Sequence, residues 1–153
     1  MPITVHAYST LDNLGIRTQL ERLYDTSPEF GDGQDAMEQL AQNLQQYTTV
    51  YTAEFNTKII GAIWATGQGE SRVLEYIVVH PSNRGRGVAE RLVEEVCRME
   101  EGQGVKHFEP GWCNSSLFIT FGQNLELKSN WFAICSKIRR LIEKSTNLLD
   151  ARG

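Results

Sequence analysis

The sequence has little cysteine and no long apolar run. Its three cysteines, Cys97, Cys113 and Cys135, are odd in number and lie 16 and 22 residues apart. That spacing fits neither a disulfide framework nor a zinc site, and we predict no metal. The longest apolar run, residues 59–65, has 7 residues, far short of the roughly 20 that span a bilayer. A disulfide-stapled domain and a membrane protein are therefore not expected.

Positive charge is not in excess either. The chain has 15 Lys+Arg against 19 Asp+Glu, a net charge of −4, which argues against nucleic-acid binding because that requires clustered basic residues. The N-terminus lacks the basic flank and apolar run of a signal peptide. The 153 residues, 41% hydrophobic and 22% charged, have the length and composition of one globular domain. We expect a cytoplasmic protein with neither nucleic-acid nor membrane partners.

Hydrophobic periodicity predicts a mixed α/β fold. The alternating and nearly continuous apolar segments predict strands, and the 3.6-residue period predicts helices. Helix 37–47 would have Met37, Leu40, Leu44 and Tyr47 on one apolar face, and strand 73–79 would be buried on both faces. The strands are predicted at residues 3–7, 48–55, 58–65, 73–79, 105–108 and 131–135, and the helices at 14–24, 37–47, 88–101, 115–124 and 136–149.

Most isolated polar and aromatic residues are interpreted as structural. We expect His80 to be structural or solvent-facing, Cys97 to be a small buried residue and Trp64 to lie in the core or a pocket wall. The carboxylates of helix 88–101 are expected to lie mostly on a solvated face. These carboxylates belong to Glu90, Glu94, Glu95, Glu100 and Glu101.

The most informative segment joins strand 73–79 to helix 88–101. Gly85 and Gly87 allow backbone conformations that residues with side chains rarely adopt. Successive amides then converge at the positive end of a helix dipole, which suits a phosphate, and Arg84 and Arg86 add charged donors. The alternative is an ordinary strand-to-helix turn with two glycines. The segment has neither the Walker sequence nor the GxGxxG spacing of dinucleotide folds.

The sequence Arg84-Gly85-Arg86-Gly87-Val88-Ala89 matches the R/Q-x-x-G-x-G/A signature and resembles the GNAT N-acetyltransferase superfamily. Residues 74–81 are similar to that family's central strand and proline-bearing loop. The resemblance covers residues 1–135 and implies one GNAT domain, to which residues 136–153 add a C-terminal amphipathic helix. It also implies acetyl-CoA (coenzyme A) as cofactor, with amides of 84–89 on the pyrophosphate and amides of 77–79 on the pantetheine arm and thioester. The implied cofactor-binding residues are Ile77, Val78, Val79, Arg84, Gly85, Arg86, Gly87, Val88, Ala89 and Asn114.

The resemblance further implies acetyl transfer to a primary amine. Glu75 lies where the family often has its general base, although a structural carboxylate in the sheet is an equal alternative. The family's Tyr general acid falls on Phe121, which has no proton to donate, while Cys113 as an acyl acceptor is disfavoured. The acceptor pocket is expected at residues 27–35.

A narrower resemblance leads to a second hypothesis. Residues 50–56, 84–96 and 121–125 are similar to the PanZ (PanM) group, which are GNAT-fold acetyl-CoA sensors. That group binds aspartate α-decarboxylase and promotes its self-cleavage, which regulates pantothenate and CoA synthesis, and it also has Phe in place of the catalytic Tyr. The hypotheses are therefore an N-acetyltransferase with a small-molecule or peptide amine acceptor, and a sensor whose partner is aspartate α-decarboxylase. The C-terminal helix would cover a sheet edge or make a subunit contact in a homodimer.

Overall fold

The computed structural model of the chain describes residues 2–26 and 32–110. In these residues five strands form one sheet in the order β1-β2-β3-β4-β5, and only the β4–β5 pair is parallel. The mixed α/β prediction is confirmed. The elements are β1 (Thr4–Tyr8), α1 (Leu14–Asp25), α2 (Gly33–Leu44), β2 (Thr48–Phe55), β3 (Lys58–Thr66), β4 (Ser71–Val79), α3 (Val88–Glu101) and β5 (His107–Pro110).

The β2–β3 hairpin follows from its turn residues. Asn56 and Thr57 have φ values of +50° and +65°, and two positive φ values are the mark of a type I′ turn, whose twist matches that of the strands. The strand bounds predicted at residues 48–55 and 58–65 are confirmed to within one residue.

Side-chain caps mark where the first two helices begin. Asn13 Oδ1 accepts hydrogen bonds from the amides of Gly15 at 2.9 Å and Ile16 at 3.3 Å, and Asp32 Oδ1 accepts from the Asp35 amide at 2.8 Å. These bonds satisfy amides that have no partner within the helix. Helix α2 ends at Leu44, so the prediction of Tyr47 on its apolar face was wrong. Tyr47 lies in the turn before β2 and is 58% exposed.

The sheet separates two hydrophobic clusters. One contains Leu20 and Tyr24 of α1 and Leu40 of α2, and the other contains Leu92 and Val96 of α3. Strand β3 supplies both, because its successive side chains point to opposite faces. The strand buried on both faces is therefore β3, and the prediction of full burial for residues 73–79 was wrong. In that segment only Leu74, Ile77 and Val78 are buried, because β4 lies next to the edge of the described sheet and has fewer packed neighbours than the central β3.

Helix α3 packs its predicted apolar face against the sheet but also buries a carboxylate. Glu100 is 2% exposed, so its prediction as a solvated residue was wrong. It lies four residues after Val96 on the buried face, where Tyr51 of β2 and Arg72 of β4 contact its carboxylate. A charged residue is buried here because it has polar partners in the core.

Several predictions lie outside the described residues. These are the helices at 115–124 and 136–149, the strand at 131–135 and the division at residue 135/136. Within residues 2–26 and 32–110, no helix is long and apolar enough to cross a membrane.

Candidate functional site

The β4–α3 loop has the backbone shape predicted from its glycines. The loop begins with a 3-10 turn, Pro81–Asn83, at which His80 Nδ1 accepts a hydrogen bond from the Ser82 amide at 3.2 Å. This contact gives His80 a structural role, which is one of the two roles expected from the sequence. Gly85 and Gly87 follow with φ values of +77° and +78°, a conformation that costs residues with a Cβ about 1–2 kcal/mol.

The two glycines face open space. A Cβ built on Gly85 or Gly87 would meet no heavy atom within 4 Å, so backbone conformation rather than packing accounts for glycine here. Gly87 is also the N-cap of α3 and provides no side-chain cap. The first amides of a helix lack partners within the helix and attract anions. The loop therefore provides backbone donors beside open space at the positive end of a helix.

Two arginines line a cleft beside this loop. The cleft has a volume of about 490 Å³ and is lined by Pro2, Ile3, Arg86, Gly87, Val88 and Arg91. Arg91 lies one helical turn beyond Gly87, and its guanidinium Nη2 is 3.7 Å from Glu95 Oε1. Glu95 makes shorter contacts with Arg98, at 2.8 and 3.1 Å. Arg86 and Arg91 thus add positive charge to the cleft.

Arg84 adopts a different position. Its Nε donates a 3.0 Å hydrogen bond to the carbonyl oxygen of Val79, which ties the loop back to the end of β4. Of the two predicted loop arginines, Arg86 is therefore the one that lines the cleft. The sequence reasoning missed Arg91, although its position at i+4 from Gly87, on the exposed side of the first turns of α3, was a usable signal.

A β-bulge interrupts β4 at the centre of the candidate site. Ala62 pairs with Val78 and Trp64 with Glu75, so two steps along β3 face three along β4. The extra residue bends the strand, and Tyr76 in the bulge has a φ of +55°. The described β4–β5 pairing ends at Leu74 and Pro110. On the side that faces β5, residues 77–79 lie beyond the bulge and pair with no strand within the described residues.

Glu75 lies directly before the bulge and is half-buried. Its Oε1 accepts a 3.2 Å hydrogen bond from the Thr66 hydroxyl. Burial raises the pKa of the Glu75 carboxyl above the usual 4.5, and the Thr66 hydrogen bond opposes part of that rise. Both alternatives from the sequence, a base and a structural carboxylate, are compatible with this environment, so Glu75 as base stays a prediction.

The remaining site predictions have different outcomes. Asn114, Phe121, Cys113 and residues 27–31 of the expected acceptor pocket lie outside the described residues. The rest of that pocket segment, from Asp32, forms the cap and first turn of α2. Across the described ranges, no group of three or more His, Cys, Asp or Glu side chains could hold a metal ion.

The residues present fit a phosphate-bearing cofactor such as acetyl-CoA. The supporting feature is the space that a Cβ at Gly85 or Gly87 would occupy, which is open and adjacent to uncapped helix amides. The cations of Arg86 and Arg91 complement the negative charge of a diphosphate. Among the described residues that line the cleft there is no carboxylate.

Solved structures show the same fold at low sequence identity. An aminoglycoside 6′-N-acetyltransferase complexed with coenzyme A is 20% identical, with a TM-score of 0.59 over 71% of this chain and 59% of that one. The aminoglycoside acetyltransferase AAC(6′)-Iy, in complex with a bisubstrate analogue, is 19% identical, with a TM-score of 0.59 over 88% of this chain and 90% of that one. A GNAT family acetyltransferase of Staphylococcus aureus is 18% identical, with a TM-score of 0.59 over 72% and 87%.

One curated protein has a more similar sequence over a shorter segment. The PanD regulatory factor of Salmonella typhimurium strain LT2 is 41% identical over 49 residues, which are 32% of this chain and 39% of that protein. The chain thus matches about two fifths of that relative's length. The profile of the Acetyltransferase (GNAT) domain matches residues 46–124, just over half of the chain and all of the segment from β2 to α3. The chain therefore belongs to the GNAT acetyltransferase domain family.

Proposed function

We propose that this protein binds acetyl-CoA at the junction of β4 and α3. The pyrophosphate would contact the amides of residues 84–89, and the pantetheine arm would run along β4 at residues 77–79. The observation that carries this proposal is the pair of positive-φ glycines, open to solvent, before a helix without a side-chain cap. Arg86 and Arg91 would add charge-assisted hydrogen bonds to the phosphates.

We infer further that the bound acetyl-CoA acts as a signal, and that the protein regulates aspartate α-decarboxylase. The specific support is the segment that is 41% identical to the PanD regulatory factor. Phe121 at the position of the family's Tyr acid also favours a binding role, because a phenyl ring has no proton for a leaving thiolate. In this role the protein has to recognise acetyl-CoA and its partner without consuming either.

Acetyl transfer to an amine is the second candidate, and Glu75 is the observation that favours it. Acetyl-CoA supplies an acetyl thioester. A half-buried carboxylate whose pKa is raised is a better proton acceptor than an ordinary one at neutral pH. Glu75 would accept the proton of the amine as the new C–N bond forms and the C–S bond breaks, and solvent would protonate the thiolate.

Three assays separate these functions. The purified protein is first titrated with acetyl-CoA in a calorimeter, and the absence of binding would exclude both roles. It is then tested for thiol release with amines, polyamines, amino acids and peptides, and for acceleration of decarboxylase-precursor cleavage with and without acetyl-CoA. Cleavage that accelerates only with acetyl-CoA supports the regulator. Thiol release that depends on one amine, and is lost in Glu75→Gln, supports the transferase instead.

A further inference from the structure

Tyr76 has a backbone conformation that is rare for its residue type. Its φ of +55° lies in the left-handed region, which bulky side chains seldom occupy. Such a conformation costs of the order of 1–3 kcal/mol and persists only when the surrounding structure enforces it. Unlike Asn56 and Thr57, which have positive φ values in a hairpin turn, Tyr76 lies within a strand.

Three elements enforce this conformation. The Tyr76 ring stacks on Trp64 of β3, with ring centroids 3.9 Å apart and an interplanar angle of 18°. The Tyr24 hydroxyl of α1 donates a 2.7 Å hydrogen bond to the Tyr76 carbonyl oxygen. The Tyr76 hydroxyl donates a 2.8 Å hydrogen bond to Gln39 Oε1 of α2. The bulge is therefore connected to both helices on one face of the sheet.

The contacts act on different parts of the same residue. The bond from Tyr24 orients the peptide group that follows Tyr76, and that peptide contains the Ile77 amide. The stack and the bond to Gln39 fix the side chain, so the Cα between them has little freedom. Burial and the neighbouring Glu75 raise the pKa of Tyr76, which keeps its hydroxyl protonated and able to donate to Gln39. A shift of α1 or α2 would therefore alter the direction of the Ile77 amide.

We propose that Tyr76 is a positioning residue through which α1 and α2 set the shape of the β4 bulge, and that this shape makes the site prefer acetyl-CoA to free CoA. The inference rests on the proposed binding of acetyl-CoA along β4. The two ligands differ only at the acyl end, which would lie at the bulge, whereas their phosphates are identical. A residue that shapes the bulge should therefore change the ratio of the two affinities, and a residue of the phosphate loop should not.

The test measures Kd for acetyl-CoA and for CoA by calorimetry, in the wild type and in Tyr76→Phe. This substitution removes only the hydroxyl, so the stack on Trp64 remains. We expect the preference for acetyl-CoA to fall about 2- to 5-fold, the scale of one modest hydrogen bond. Gln39→Met removes the acceptor instead and should have the same effect, and the double variant should lose no more than either single variant.

Tyr8→Phe is the matched control. The Tyr8 hydroxyl also donates to a side chain, Glu54 Oε1 at 3.2 Å, but it lies on β1, three strands from β4. We expect Tyr8→Phe to have the same ratio of affinities for acetyl-CoA and CoA as the wild type. Equal loss of affinity for both ligands in Tyr76→Phe, or no preference in the wild type, would overturn the inference and leave acetyl-CoA binding intact. A wild type that binds neither ligand would overturn the proposed function as well.

Discussion

The hydroxyl of Tyr51 donates a 2.7 Å hydrogen bond to Glu100 Oε1 inside the core. The other carboxylate oxygen, Oε2, lies 3.5 Å from Arg72 Nε. Burial and the hydrogen bond to Glu100 raise the pKa of Tyr51, so its hydroxyl stays a donor. These contacts join β2, β4 and the C-terminal end of α3, and so fix the helix whose N-terminus forms the glycine loop.

Removing this carboxylate should destabilise the fold. Glu100→Ala leaves the Arg72 cation without its buried counter-charge, and the loss of one member of a buried ion pair costs about 3–5 kcal/mol. Tyr51→Phe removes one hydrogen bond and should cost about 1–3 kcal/mol. Urea denaturation measures both free energies of unfolding. Glu94→Ala on the exposed side of α3 is the control, expected within about 0.5 kcal/mol of wild type, and an equal cost for Glu94→Ala and Glu100→Ala would contradict the prediction.

Gly87→Glu should abolish acetyl-CoA binding, because it places bulk and negative charge where we propose the pyrophosphate. Gly69→Glu is a matched control, since Gly69 has a φ of +66° and, like Gly87, no heavy atom within 4 Å of a built Cβ. In both variants backbone strain should lower the free energy of unfolding by a similar amount, about 1–2 kcal/mol. Only Gly87→Glu should lose acetyl-CoA binding. Thermal denaturation and calorimetry measure the two effects. Unchanged affinity in Gly87→Glu would exclude the phosphate role of the loop.

Glu75→Gln should change how stability depends on pH. Burial raises the folded-state pKa of Glu75 above 4.5, with the Tyr24 and Tyr76 hydroxyls nearby. The folded protein therefore binds the proton more tightly than the unfolded chain, and the wild type loses stability as the pH rises from the unfolded pKa through the folded one. Gln has no charge to bury. We expect Glu75→Gln to gain stability relative to wild type as the pH rises from 4 to 7.

Melting temperatures of the two proteins at several pH values measure this difference. Glu94→Gln, on the exposed side of α3, supplies the control, because a solvated carboxylate has no comparable burial cost. A difference between wild type and Glu75→Gln that stays constant from pH 4 to pH 7 would show that the burial of the Glu75 charge has no cost.

Gly33→Ala should destabilise the start of α2. A Cβ on Gly33 would overlap the carbonyl oxygen of Glu21 and lie 2.8 Å from Asp25 Oδ1, which also accepts a hydrogen bond from the Gly33 amide at 2.5 Å. Overpacking against backbone costs about 1–3 kcal/mol. In the control Gly15→Ala, the new Cβ would lie 3.2 Å from Asn13 Oδ1, a mild side-chain contact that a small rotation of the exposed Asn13 relieves. Chemical denaturation should show a loss in the first variant and little change in the second.

Much of the candidate site follows from local sequence. The glycines of the β4–α3 loop have the positive φ values that the motif implied, and α3 begins directly after them, because glycine alone adopts that conformation without strain. Arg91 and the bulge at Tyr76 were not predicted. Nothing local marks a tyrosine for a positive φ, because the contacts that enforce it come from residues 24, 39 and 64, which are distant in sequence.

The sequence by itself determined the elements whose causes are local: the Asn56-Thr57 turn, the capped start of α1 and the glycine loop before α3. Tertiary structure decided which strand is central, why Glu100 is buried and how Tyr76 is held. Strand order depends on pairing between segments that are far apart in the chain. The side chains of β3 are buried on both faces only because the folded chain places other elements on each side of that strand. The prediction that the carboxylates of α3 face solvent was wrong for Glu100 for the same reason, because Tyr51 and Arg72 become neighbours of Glu100 only in the folded sheet.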